Sequence, residues 1–89
     1  MQLKQTLVKL TNKNEGDSFI KFLENNGFSN IQNLSYDKLR IKVLVVDKKE
    51  FFGTNITCLS VLAMFGIKPI DTKHFITKFE NKNNKDFSL

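Results

Sequence analysis

The residues in this chain with the greatest chemical capacity are Cys58, His74 and the run Gly53-Thr54-Asn55, with Lys48 and Lys49 just before it. A thiolate near a helix start is favoured by the helix dipole, and an imidazole beside it supplies a base, so Cys58 with His74 is the pair a thiol enzyme would need. The opposing reading is simpler. A lone cysteine in a segment apolar on nearly every side is a packed, inert thiol. The expectation is no catalytic residue and no enzyme. One cysteine cannot close an intramolecular disulfide, and one histidine without companion ligands at suitable spacing makes no metal site, so neither metal nor cofactor is expected.

Gly53-Thr54-Asn55 precedes an apolar helical pattern, where free amides and the dipole can hold a phosphate or carboxylate, with Lys48 and Lys49 as candidate counter-charges. The run lacks the Gly-x-x-x-x-Gly-Lys-Ser/Thr spacing of a nucleotide loop, and Thr54 and Asn55 are residue types that helix capping requires in any case.

Nucleic acid is possible but not favoured. The net charge is +5, yet thirteen of the fourteen basic residues are lysines and Arg40 is the single arginine, so forked contacts to guanine or phosphate are scarce. The charge is also dispersed along the chain, as on a solvated surface. RNA-binding βαββαβ modules stack bases on aromatics of the first and third strands, and residues 3–10 and 39–46 contain none.

The elements that must position these residues follow from periodicity. Residues 39–46 alternate apolar side chains without a polar exception in one phase and are rich in β-branched types, which predicts a buried strand. Pairing it with residues 30–36 through an Asp37-Lys38 turn places Leu34, Tyr36, Leu39, Ile41 and Val43 on one face, with Arg40 and Lys42 pointing away. Residues 3–10 read as an opening strand. Residues 18–26 read as a helix begun by Asp17 or Ser18 and ended by Gly27. Residues 47–50 form a charged bend. Residues 55–65 are a second helix, capped by Thr54 or Asn55 and stopped by Gly66 and Pro69. Residues 74–79 alternate weakly, as an edge strand or a last helical turn, and 81–89 read as a mobile polar tail.

This order predicts one α+β domain over residues 1–80 with the split βαβ (βαββαβ, ferredoxin-like) sandwich: two helices on one face of a four-stranded antiparallel sheet. A winged helix is the alternative. At 89 residues there is room for one core.

The second helix carries an excess of apolar surface. Between residues 56 and 65 only Thr57 and Ser60 are polar. A core face of Ile56, Leu59, Leu62 and Ala63 would leave Phe51, Phe52, Val61 and Phe65 as a candidate interface. A second copy of the chain is the expected cover, so a homodimer or another protein partner is predicted. The function read from these features is a small self-associating interaction or regulatory module. No secretion signal or bilayer-length apolar run is evident, which suggests a cytoplasmic address without membrane contact, and the lysine and asparagine content suits a bacterial source. The alternative is an anion-, nucleotide- or nucleic-acid-binding protein using dispersed lysines and the Gly53-Thr54-Asn55 helix mouth.

Overall fold

A computed structural model describes residues 6–47 and 49–87, with side chains through residue 81. The element order is β1 (Thr6–Lys9), α1 (Lys13–Asn25), β2 (Ser29–Asn30), a 3₁₀ turn at Tyr36–Lys38, β3 (Val43–Asp47), β4 (Glu50–Gly53), α2 (Ile56–Met64), β5 (Ile70–Asp71) and α3 (Thr72–Phe87). The strands form one five-stranded sheet in the order β2-β4-β3-β1-β5. β3 pairs antiparallel with both β1 and β4, whereas the two edge strands pair parallel, β5 with β1 and β2 with β4. The α+β class is as expected, but a mixed five-stranded sheet with three helices is not the expected βαββαβ sandwich. Nor is it a winged helix, because residues 30–46 do not form a wing hairpin.

The hairpin is the main correction. Residues 30–36 do not pair with the central strand; β4 does, with Val46 opposite Phe51 and Val45 opposite Phe52. The turn therefore falls in the charged 47–50 bend, not at Asp37-Lys38, which lie in the 3₁₀ turn. Period two still governs the true pair. Val8, Leu44, Val46 and Phe51 belong to one core, and Leu7, Val43 and Val45 to the other. The predicted common face is split: Leu39 lies in the first core, while Val43 and Ile41 lie in the second. Arg40 is exposed as expected. Lys42 does not point freely away, because its Nζ donates to the carbonyls of Tyr36 at 2.9 Å and Leu39 at 2.8 Å and sits 4.3 Å above the Tyr36 ring. One lysine thus ties down the irregular segment that the sequence reading took for a strand.

Helix α1 begins five residues earlier than expected. Asn12 caps it, its Oδ1 accepting from Glu15 N at 2.8 Å. A glycine inside a helix weakens it, but Gly16 has a packing reason. A Cβ at this position would run into the ring and Cβ of Tyr36. Asp17 does not cap α1; its Oδ1 accepts from Tyr36 N at 3.2 Å, and Lys13 bridges Asp17 at 3.2 Å and Asp37 at 2.6 Å. The Tyr36 amide, followed by Lys13, holds the Asp17 carboxyl below its ordinary value, and the Asp37 and Asp17 carboxylates hold Lys13 above its own.

Residues 74–79 are not an edge strand but part of α3, and the polar segment after them continues that helix to Phe87. Asp71 starts it, accepting from His74 N at 2.6 Å. Phe75 and Phe79, one helical turn apart, then meet the aromatics of α1 and Phe28: Phe75 lies edge-on to Phe19 at 5.4 Å, and Phe79 edge-on to Phe22 at 5.7 Å. Glu15 pins the two helix starts together by accepting from the hydroxyls of Thr11 and of buried Thr72, the latter at 2.6 Å. These hydrogen bonds, Thr11 first, hold the Glu15 carboxyl below its ordinary value.

The result is a sheet covered on both faces. α1 and α3 lie over the first core, while α2 alone lies over the second, through Leu62. The expectation of two helices sharing one face with α2 among them is corrected accordingly.

Candidate functional site

Helix α2 has the limits and caps that its sequence predicts. Asn55 Oδ1 accepts from Cys58 N at 2.7 Å and the Asn55 carbonyl accepts from Leu59 N at 2.9 Å, while Gly66 closes the other end at φ +78°, a conformation that costs glycine nothing. Its sides are another matter. Leu62 is the one buried residue of α2, with Leu59 and Cys58 half-buried beside it. Ile56 and Ala63, expected in the core, are exposed. Ile56 is 73% exposed, Val61 46%, Met64 85% and Phe65 77%. No charged residue occurs from Gly53 to Ile67. The outer side of α2 is therefore an uncharged, mainly apolar surface facing water, with Thr57 and Ser60 its polar members.

Of the four candidate interface residues, Val61 and Phe65 lie on this surface. Phe52 is half-buried against the second core, and Phe51 is fully buried in the first, where no partner can reach it. Met64, the most exposed large apolar side chain of the set, was missed. Its position one turn from Ser60 and one residue from Phe65 placed it on the outer side all along.

Gly53-Thr54-Asn55 lines a groove of about 700 Å³ between the start of α2 and residues 32–41. Lys49 does not accompany it. β4 runs from Glu50, paired with Asp47, to Gly53, paired with Leu44, so Lys49 stands at the opposite end of the strand, where its carbonyl accepts from Ser29 N. Lys48 lies outside the described residues. The cations that line the groove are instead Lys38 and Arg40, brought there by the irregular segment. Gly53 lets that segment approach closely, since a Cβ here would lie 2.8 Å from Leu39 Cδ2 and the leucine side chain would have to shift.

Cys58 and His74 are not brought together. Cys58 packs on the second core with α2, whereas His74 lies in the first turn of α3, on the other side of the sheet. Among the described residues no group of three or more His, Cys, Asp or Glu side chains is placed to hold a metal, and no helix is long and apolar enough to cross a membrane. An open aromatic sheet face for stacking nucleobases is also missing among them, because helices cover both faces. Compared with protein-family models, with curated proteins and with solved structures, the chain matches none.

Proposed function

We propose that this protein is a small cytoplasmic interaction module that self-associates through the outer side of α2. The observation that carries the reading is the exposure of Ile56, Val61, Met64 and Phe65 on one capped, uncharged helix. Each large apolar side chain taken out of water contributes roughly 1.5 to 3 kcal/mol, so covering several at once is a substantial driving force for an 89-residue chain. A second copy is the favoured occupant on electrostatic grounds. A chain of net charge +5 repels itself wherever lysines meet, and residues 53–67 form a surface on which two copies can touch without opposing like charges. A strongly charged partner would find nothing there to match. Two-fold pairing needs only this one surface, used twice.

Sedimentation velocity over a wide concentration range tests the reading. The expected outcome is a reversible increase in mass for the parent protein and a monomer throughout for the double variant Met64→Lys, Phe65→Lys. A parent chain that stays monomeric at the highest attainable concentration would overturn it.

A further inference from the structure

We propose that the groove between residues 32–41 and the start of α2 binds a small amphiphilic carboxylate of the medium-chain fatty-acid kind, its tail against Leu34 and Ile41 and its carboxylate at Arg40. This goes beyond the self-association reading and does not depend on it, although Ile56 borders both surfaces. The groove volume of about 700 Å³ is that of a small-ligand site. Half-buried Leu34 and Ile41 give it apolar walls, with Ile56 on the rim that it shares with the outer side of α2, and its only charged lining residues are Lys38 and Arg40, so it offers positive charge and no carboxylate.

The two cations are not equivalent. Lys38 Nζ donates to the Asn33 carbonyl at 3.3 Å, whereas the exposed guanidinium of Arg40 has neither a hydrogen-bond nor an ion-pair partner among the described residues. A guanidinium presents a planar pair of donors that fits a carboxylate bidentately.

Other anions fit less well. An extended acidic peptide would add to the stretch of β4 beyond its pairing with β2, but Gln32 Oε1 already accepts from Gly53 N at 3.2 Å and so occupies the donor that an added strand would need. A nucleotide would look for an aromatic to stack on, and the groove lining contains none. What remains is one negative charge on a short apolar tail.

The test is an amide-resolved NMR titration of the full chain with octanoate, with octanol as the uncharged tail and acetate as the tailless anion. Octanoate is expected to shift the amides of Leu39, Arg40 and Ile41 saturably, to bind more tightly than either control, and to bind about tenfold more weakly to Arg40→Gln. The variant Met64→Lys, Phe65→Lys should bind it as the parent does, which separates this site from the self-association surface. Octanol binding as tightly as octanoate, shifts centred on Val61, Met64 and Phe65, an unchanged affinity in Arg40→Gln, or no saturable shift would each overturn the proposal. Should Arg40→Gln fail to fold, the parent serves: octanoate affinity must fall as salt is raised while octanol affinity does not.

Discussion

The two faces of the sheet are built from the same strands and end in different conditions. On the first, eleven buried residues among those described, Val8, Leu44, Val46 and Phe51 included, form one cluster with α1 and α3, and Phe rings from both helices interlock above the strands. On the second, four residues are buried, and the single helix that covers them keeps most of its own apolar surface in water. The chain encloses one core completely and leaves the other with an unshared outer wall. Fold stability is expected to reside on the first face and association on the second.

The largest effect that could break this division comes from the first face. Phe51→Ala empties a fully buried site between β4 and the helices and is expected to cost about 3 to 5 kcal/mol. Equilibrium urea unfolding measures it, and the loss should be the same at every protein concentration. Leu62→Ala on the second face should cost less, about 2 kcal/mol, since that site is at the edge of burial and can relax toward solvent. Its effect should grow with protein concentration, because it also weakens the seat of the associating helix. If the two variants proved equal and equally insensitive to concentration, the two faces would not differ in role.

Gly16→Ala sharpens the account of how the first face is closed. The helix would gain roughly 1 kcal/mol in propensity, but the added methyl must displace Tyr36, and overpacking of this kind costs about 1 to 3 kcal/mol. A net loss is expected, with amide shifts centred on Tyr36 and Lys42. A stabilised variant would mean that the Tyr36 contact is dispensable. Met64→Lys with Phe65→Lys should change the unfolding free energy of the monomer by less than about 0.5 kcal/mol, since both sites are exposed, while abolishing the increase in mass.

The smallest effect is a pH dependence. Glu15 is held below its ordinary value by the Thr11 and Thr72 hydroxyls, so its contribution is present above the unfolded-state value and is lost as pH falls through the lower folded-state value. Thermal unfolding at neutral pH should show Glu15→Gln slightly below the parent, and the gap should narrow under acid conditions below the ordinary carboxylate range. A gap that widens with acid would assign the loss to something other than this carboxylate. Asp17, lowered by the Tyr36 amide and by Lys13, contributes to the parent with the same sign.

Helix α2 was legible in the sequence because everything that defines it lies within a few residues of it. Asn55 is a cap type placed before an apolar run, Gly66 is the residue that can take the closing conformation, and the lack of charge is visible without a structure. The same holds for the alternation around Val43 to Val46 and for the charged bend after it. The α1 start is hidden although Asn12 followed three residues later by Glu15 is a helix-start signal, because the Asn, Lys and Gly of residues 11–16 read as a loop before the helix. Phe75 and Phe79 at helical spacing after Asp71 likewise signalled α3, in a segment too polar on its other sides to stand out. The Arg40 groove left no comparable trace, since its two walls are more than ten residues apart in the chain.

By itself, then, the sequence determined the local stops and starts of α2, the exposure of Arg40 and the surplus of apolar surface that one side of a sheet could not absorb. Tertiary structure decided which strand pairs with β3, that α1 and α3 share a face, that Tyr36 rests on Gly16 and that Lys38 and Arg40 line one groove with the start of α2. The physical reason is one of range. Caps and periodicity act over three or four residues and can be read in place, whereas strand partners and groove walls are chosen by the fit of side chains that only the closed chain brings together.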